Sequence, residues 1–192
     1  MSAQLIWTHE IGNYIFETYN DRPDLNYFEV KQTHSSIVLN EDQINKESIG
    51  DGIISKNLSP ICIKTADCLP IALVGKGAIA IIHAGWRGLK DNILDNNELR
   101  SISPHTVIIG PHISTNRYEV GTEFCEYFKE ETIKIDESYY LDLGKIAQKQ
   151  IKQYFGSIEI IFSGLCTYEN DNLNSYRLNK TNKRNYNILR KK

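Results

Sequence analysis

The apolar positions of the chain fall into short runs that predict buried strands. These runs are rich in Ile and Val and are bounded by Gly, Pro or charged residues, which is the pattern of strands buried on both faces. They cover residues 61–63, 71–74, 78–82, 107–109 and 158–162. Alternation of apolar and polar residues in FEVKQTH predicts a further strand near 27–33.

Three other segments are predicted to be helical. Residues 88–100 follow a Gly-containing turn, and residues 121–132 place apolar side chains on one face. Residues 142–155 carry apolar residues at helical spacing along the whole segment. Because strands and helices interleave, the fold class is predicted to be α/β or α+β. Some gaps between strands are too short for a helical crossover, so we expect a mixed or partly antiparallel sheet.

Composition and charge narrow the functional classes. The 192 residues suit a single domain covering residues 1–192, although two small domains would also fit. Apolar residues make up 41% and charged residues 24%, which is an ordinary globular balance. The net charge of −2 gives no electrostatic reason to expect nucleic acid or an anionic membrane as a partner. The basic segment NKTNKRNYNILRKK is interpreted as a solvated end.

The sequence carries no sign of membrane insertion or export. No apolar run reaches the roughly 18–20 residues of a spanning helix, and MSAQLIWTHEIGNYIF lacks the pattern of a secretory signal. We therefore expect a cytoplasmic protein whose cysteines are reduced and available for a metal or for catalysis. No CxxC pair occurs, which disfavours a structural zinc ribbon. The four cysteines are Cys62, Cys68, Cys125 and Cys166.

Three metal-ligating residues lie at the ends of predicted strands. In TADCLPIALVGKGAIAIIHAGWRG, Cys68 precedes one apolar run and His83 ends the next, and His34 follows the strand predicted near 27–33. Taken singly, each is more often an ordinary core or surface residue. If the three strand ends meet, however, they form a two-histidine, one-cysteine set that suits zinc. Three protein ligands leave the fourth position open, which is the arrangement of catalytic zinc.

Three arginines are candidates for contacts with an anion such as phosphate. Arg87 lies in HAGWRG, whose small residues permit close approach of backbone and ligand, and its planar guanidinium suits phosphate. Arg177 and Arg184 lie late in the chain without obvious acidic neighbours. Each of the three could instead be surface charge.

Several motifs together resemble one known family. In order along the chain they are QTHSSIV, DGIISKNLSPICIKTADCLPI, AIIHAGWRG, IGPHISTNRYEVG, CTYEN and SYRLNKTNKR. They resemble the laccase-domain family, first named multicopper polyphenol oxidase and now described as purine nucleoside phosphorylase and adenosine deaminase. Its bacterial members are also called peptidoglycan editing factor. The combination of TADCLP with HAGWRG is the most specific part of the match.

The resemblance implies a fold, a metal set and a chemistry. The implied fold is a sandwich with a mixed sheet core flanked by helices, related to the catalytic domain of cytotoxic necrotising factors. The implied zinc ligands are His34, Cys68 and His83, and copper could bind the same set opportunistically. The implied partners are phosphate and a purine nucleoside (adenosine, inosine, guanosine or methylthioadenosine), for which Arg87, Arg177 and Arg184 are candidate contacts. We expect a monomer or small homo-oligomer. Adenosine deamination is the second implied activity.

This chain departs from the family pattern in three places. Ser35 stands where members usually carry glycine, the segment before Gln32 is short, and TNKR replaces the common TGR while Arg184 keeps its place. We expect the short N-terminal part to affect the choice of substrate more than the three metal ligands.

Deamination would require further groups. Zinc lowers the pKa of a bound water to roughly 7, which suits attack on a purine carbon, although the common nucleobase-deaminase signature is absent. A proton shuttle would also be needed. Asp67, treated as a catalytic candidate with Cys68 and His83, and Asp51 are the nearest carboxylates in sequence, although Asp51 in a DG pair is also typical of a turn.

Three alternatives remain. A multicopper laccase needs many imidazoles, and this chain has 5 histidines and only Met1 as a thioether, so at most a weak copper-dependent polyphenol oxidase is expected. A metal-free hydrolase would use Cys68 as nucleophile with His83 or His34 as base, and could cleave an amide of a peptidoglycan precursor. A non-enzymatic scaffold predicts that Cys68→Ala leaves function intact.

Overall fold

The computed structural model describes residues 3–192, and strands dominate its architecture. The strands are β1 (Leu5–Ile11), β2 (Tyr14–Tyr19), β3 (Val38–Asn40), β4 (Gly52–Ser55), β5 (Ile61–Thr65), β6 (Leu69–Val74), β7 (Ile79–Ala84), β8 (Thr106–Ile109), β9 (Glu119–Val120), β10 (Thr132–Ile135), β11 (Ser138–Leu141), β12 (Glu159–Phe162) and β13 (Asn185–Lys191). The helices are α1 (Trp86–Lys90), α2 (Asn97–Ser101), α3 (Phe124–Tyr127), α4 (Leu143–Phe155) and α5 (Tyr176–Asn179).

The centre of the molecule is a six-stranded mixed sheet in the order β12-β8-β6-β7-β4-β3. Strands β6 and β7 form an antiparallel hairpin, and every residue of both strands is buried. Their unbroken apolar sequence fits this central position, because both faces of the hairpin are covered. The β12–β8 and β3–β4 pairs are parallel, and the other pairs are antiparallel. The expectation of a mixed sheet is confirmed.

A second sheet and a layer of helices cover the two faces of the central sheet. The second sheet is antiparallel, in the order β1-β2-β13-β5. It contributes Phe16 and Ile63 to an apolar cluster shared with Ile81 of the central sheet. On the opposite face, Ile146 and Ile151 of α4 pack in a cluster with Ile82 and other central residues. A small sheet, β10-β11-β9, lies beside this layer. The fold is thus the predicted α+β sandwich flanked by helices.

The predicted strands within the central sheet are confirmed, but the one near 27–33 is wrong. That segment makes only isolated bridges, from Phe28 to Ile61 and from Lys31 to Ile49. It changes partner between these two points, so no continuous ladder forms. The basic C-terminal segment is also not a solvated end. It forms β13, which lies between β2 and β5 with Ile188 and Leu189 fully buried.

One of the three predicted helices is confirmed. Helix α4 fills nearly the whole of residues 142–155, with the Asp142 side chain accepting a hydrogen bond from the Lys145 amide at its start. Residues 88–100 instead contain parts of two short helices, because the Asn96 side chain caps a new helix at α2. Residues 121–132 are helical only at α3, after which the chain enters β10. Within residues 3–192, no helix combines the length and apolar character that crossing a membrane demands.

Candidate metal centre and pocket

The register of the β6–β7 hairpin places two of the three predicted ligands at the same end of the sheet. Leu69 pairs with Ala84 and Pro70 with His83, so Cys68, directly before β6, lies next to the end of β7. The turn that carries Cys68 includes Asp67 in a left-handed conformation with φ 91°. A short segment before β3 brings His34 to the same place.

The structure brings together the three residues that the sequence pattern identified. One possible ligand atom from each of His34, Cys68 and His83 lies within 4.8 Å of the other two. The two imidazole rings meet edge to face, with centroids 4.7 Å apart. His83 is buried, Cys68 is partly buried and His34 is exposed. The cluster therefore forms the base of a site that solvent reaches from the His34 side.

The cluster has the donor set and the space that a metal ion requires. Two imidazole nitrogens and a thiolate are ligands that zinc binds in catalytic sites with an open fourth position. Gly85 lies against the cluster, and a Cβ atom there would be 2.9 Å from Cys68 Sγ and 3.1 Å from His34 Cδ2. Only glycine leaves this volume free. The three residues could therefore hold a metal ion.

Charges within the cluster favour a thiolate. Burial alone raises the pKa of the Cys68 thiol, but neighbouring His83 and His34 outweigh it and lower the pKa to about 6. Burial likewise lowers the pKa of His83, but the Cys68 thiolate and the Asp51 carboxylate raise it to about 9. In the metal-free protein, Cys68 and His83 thus form a thiolate–imidazolium pair near neutral pH.

This pair predicts an unusual pH dependence of Cys68 alkylation. In protein freed of metal with a chelator, we expect the rate of reaction with iodoacetamide to fall as the pH drops through about 6, because only the thiolate reacts. Above pH 7 the rate should be nearly constant, whereas an unperturbed thiol gains reactivity up to roughly pH 8.5. Mass spectrometry of the Cys68 peptide measures the rate, with the Cys125 peptide followed in the same digest. A midpoint above pH 8 would contradict the described electrostatics.

A cavity of about 820 Å³ opens from this cluster. All three arginines proposed from the sequence line it, as do Asp67 and the three metal-ligand candidates. Further lining residues, which sequence reasoning did not assign to the site, are Gln32, Lys64, Ala66, Trp86, Tyr118, Tyr176, Lys180, Asn182 and Tyr186. The size of the cavity is within the range of sites for small ligands.

The cavity has a strongly positive lining. Lys64 is paired with the Glu29 carboxylate at 3.0 Å. Arg177 donates to the backbone carbonyl of Glu119, and Arg184 donates only to carbonyls of its own loop. Among the described residues that line the cavity, Asp67 is the only carboxylate. An anionic ligand would therefore meet several cations without a competing acidic side chain.

Asp67 is fully engaged within the protein. Its Oδ1 accepts a hydrogen bond from the Thr167 hydroxyl at 2.7 Å, and its Oδ2 accepts one from the Arg177 backbone amide at 2.6 Å. The second of these bonds ties the Cys68 turn to the start of α5, which carries Arg177. A role for Asp67 as proton shuttle stays a prediction, and in this geometry its carboxylate holds the cavity wall.

Tyr118 is a site residue that the sequence reasoning missed. Its ring lies 5.0 Å from the Arg177 guanidinium, on the cavity wall. Burial raises the pKa of the Tyr118 phenol, and the nearby Cys68 raises it further, so the hydroxyl stays protonated and can donate a hydrogen bond. The only available signal was its position in the motif RYEVG.

A family model described as multi-copper polyphenol oxidoreductase laccase matches residues 17–189, nearly the whole chain. The chain belongs to this family. The match includes all three residues of the metal-ligand cluster and the cations of the cavity.

Named relatives and solved structures agree with membership of the laccase family. A purine nucleoside phosphorylase of Aquifex aeolicus is 31% identical over 165 residues, which are 82% of this chain and 79% of the relative. One of Campylobacter jejuni is 34% identical over 164 residues, covering 80% and 72%. A solved Neisseria meningitidis protein superposes with a TM-score of 0.74 at 26% identity, covering 84% of this chain and 73% of its own. A Geobacillus stearothermophilus structure, at 21% identity and a TM-score of 0.76, covers 86% and 73% and shares the fold.

Proposed function

We propose that this protein is a zinc-dependent purine nucleoside phosphorylase that converts a purine nucleoside and phosphate into the free base and ribose 1-phosphate, or methylthioribose 1-phosphate where the substrate is methylthioadenosine. The observation that carries the proposal is the cluster of His34, Cys68 and His83 at the base of a cavity lined by cations. Relatives from Aquifex aeolicus and Campylobacter jejuni that bear the name purine nucleoside phosphorylase support it. Adenosine, inosine, guanosine and methylthioadenosine are the proposed substrates.

The cations of the cavity provide the phosphate site in this proposal. Arg87 has its guanidinium 4.4 Å from the Trp86 ring, which orients the planar group at the cavity edge. Arg184 and Lys180 lie on the segment that follows α5 and line the same cavity. Guanidinium groups bind phosphate through two parallel hydrogen bonds, and a lysine adds a point charge. These residues would hold phosphate near the sugar carbon that it attacks.

Aromatic and polar groups would hold the nucleoside. The Tyr118 phenol can donate a hydrogen bond to a ring nitrogen of the purine as that base leaves, which stabilises the charge that develops on it. The Arg177 guanidinium beside the Tyr118 ring strengthens this effect by its positive charge. A bound zinc ion would supply Lewis-acid chemistry, polarising an oxygen or lowering the pKa of a water molecule.

Adenosine deamination is proposed as a second reaction of the same cavity. It needs water in place of phosphate and a group that transfers protons to the purine. Because both oxygens of Asp67 accept hydrogen bonds from the protein, we expect deamination to be slower than phosphorolysis.

A metal-free cysteine hydrolase is the second candidate function. Cys68 adjoins His83, and His83 Nδ1 lies 2.7 Å from Asp51 Oδ1. A nucleophile beside a base, with a carboxylate that orients the base, is the arrangement that nucleophilic amide hydrolysis requires. Such an enzyme would act without zinc on an amide, for example of a peptidoglycan precursor.

Product analysis distinguishes these functions. Metal-analysed protein is incubated with adenosine, with and without phosphate, and products are identified by mass spectrometry. We expect adenine and ribose 1-phosphate only when phosphate is present, with inosine as a minor product. Loss of both products after chelation, and their return with zinc, would support the metal-dependent enzyme. No nucleoside turnover by zinc-loaded protein, together with amide cleavage by chelated protein, would favour the cysteine hydrolase.

A further inference from the structure

One buried carboxylate contacts both segments that carry the histidines of the cluster. Asp51 is 0% exposed and lies at the start of β4, next to β7. Its Oδ1 is 2.7 Å from His83 Nδ1 and accepts a hydrogen bond from the His34 backbone amide at 3.1 Å. Its Oδ2 accepts hydrogen bonds from the Ser35 amide and hydroxyl, at 2.6 Å and 2.7 Å, and from the Thr33 amide at 3.2 Å.

We propose that Asp51 is the positioning residue of the candidate metal centre, fixing His83 by its ring and His34 by its backbone. The inference rests on the metal centre of the proposed function, but it does not depend on which reaction that centre serves. Asp51 does not reach the cavity itself, so it acts through the two histidines.

The contact with His83 selects which ring nitrogen faces the cluster. The Asp51 carboxylate also accepts hydrogen bonds from several N–H groups, so it serves as an acceptor and His83 Nδ1 carries the hydrogen. The Nε2 atom of His83 is then the nitrogen on the side of Cys68 and His34, and it offers its lone pair to a metal ion that displaces the Nε2 proton. Carboxylates that accept from the outer nitrogen of a metal-binding histidine fix its tautomer and orientation in this way.

The contact with the His34 segment holds a conformation that a histidine rarely adopts. His34 has φ 61°, in the left-handed region where non-glycine residues are uncommon. The amides of three consecutive residues, 33–35, converge on the Asp51 carboxylate, which compensates for this conformation. Without the carboxylate, three amides would lose their acceptor and the imidazole of His34 would no longer be fixed beside Cys68.

A second anchor shows that the same segment is held from both sides. The Gln32 side chain donates to the Lys64 carbonyl and accepts from the Lys64 amide, both at 2.7 Å. Gln32 therefore ties the segment to β5, while Asp51 ties it to β4 and β7. Of the two anchors, only Asp51 also contacts the other histidine.

The test compares two matched carboxylate-to-amide changes. Asp51→Asn keeps the size of the side chain but places an amide opposite N–H donors. Glu41→Gln is the control, because Glu41 is also buried and accepts from the Ser55 hydroxyl and the Asn57 amide, away from the cluster. Zinc affinity is measured by competition with a chelator and expressed per folded molecule. We expect Asp51→Asn to weaken zinc binding roughly 10- to 100-fold, and Glu41→Gln to leave it within about 3-fold of wild type.

A readout independent of metal follows the Nδ1–H group of His83. In ¹⁵N NMR of the metal-free protein, we expect the Nδ1 hydrogen of His83 to be held in a hydrogen bond, and Asp51→Asn to change the Nδ1 signal while Glu41→Gln does not. If the wild type binds no zinc, the proposed metal centre fails, yet this spectrum still tests Asp51. Wild-type zinc affinity and unchanged His83 signals in folded Asp51→Asn would overturn the inference.

A milder variant keeps the proposal testable if Asp51→Asn does not fold. Ser35→Ala removes one of the hydrogen bonds to Asp51 Oδ2 and keeps the carboxylate. We expect zinc affinity to fall about 3- to 10-fold, because the Ser35 and Thr33 amides still donate to Asp51 Oδ2 and compensate for part of the lost hydrogen bond. No change in zinc affinity in Ser35→Ala would then overturn the proposal.

Discussion

Replacing Cys68 by alanine should abolish zinc binding and the proposed phosphorylase activity together. Cys68 is the only thiol in the cluster, and two imidazoles alone bind zinc far more weakly than the complete set. We expect kcat/KM for adenosine to fall by about 10³-fold or more, equivalent to about 4 kcal/mol of transition-state stabilisation. The measurements are zinc per folded molecule by mass spectrometry of the metal and ribose 1-phosphate formation over time.

Cys125→Ala is the control for this experiment, because Cys125 is a partly buried thiol in α3 outside the cluster. It should retain zinc and activity. Full zinc content and full activity in Cys68→Ala would contradict the proposed metal centre, because Cys68 would then be needed neither for zinc binding nor for catalysis. Loss of an amidase activity that chelation leaves intact would instead identify Cys68 as a nucleophile.

The second large effect is expected from a single added methyl group, in Gly85→Ala. The new Cβ would lie 2.9 Å from Cys68 Sγ, too close for the thiolate to keep its place beside the two histidines. Zinc affinity and kcat/KM should each fall at least about 100-fold, because a small displacement of a reacting group is costly. The backbone of Gly85, at φ −82° and ψ 173°, is open to alanine, so the fold should be retained.

Thermal unfolding shows whether Gly85→Ala acts on the metal site alone or also lowers the stability of the fold. We expect the free energy of unfolding of the metal-free variant to stay within about 1 kcal/mol of wild type. Gly144→Ala in α4 is the control, since its Cβ would approach only side-chain atoms, the nearest at 3.3 Å, away from the cluster. Normal zinc binding by Gly85→Ala would show that the thiolate does not occupy the described position when metal is bound.

The central hairpin and α4 were predictable because each buries a continuous or periodic apolar surface. The N-terminal hairpin of β1 and β2 was missed because charged residues interrupt its alternation, although Gly12, with φ 53°, and Asn13 form a typical two-residue hairpin turn. Strand β13 was missed for a different reason. Its buried Asn185 and Asn187 look polar in sequence, and their hydrogen bonds, to Asn174 in the loop before α5 and to Thr65 of β5, become apparent only in the folded chain.

In the candidate site too, some residues were predictable from the local sequence and others only from the folded chain. Cys68 and His83 were predictable as a pair because both mark the ends of apolar runs. Asp51 was considered as a proton-shuttle candidate or a turn residue, since nothing local shows that the amides of a distant segment converge on its side chain. Tyr118 belongs to a motif, but its place on the cavity wall depends on the loops that surround it.

The hairpin register also fixes an order of assembly. Cys68 and His83 meet as soon as the turn at residues 75–78 closes, and closing so short a loop costs little chain entropy. His34 comes from a distant segment, so we expect it to join the cluster only after β4 and β5 have docked. We expect release in the reverse order, because the exposed His34 lies outside the hairpin that holds the other two residues. Metal exchange in the native protein should therefore follow the opening rate of that one segment and not the rate of global unfolding.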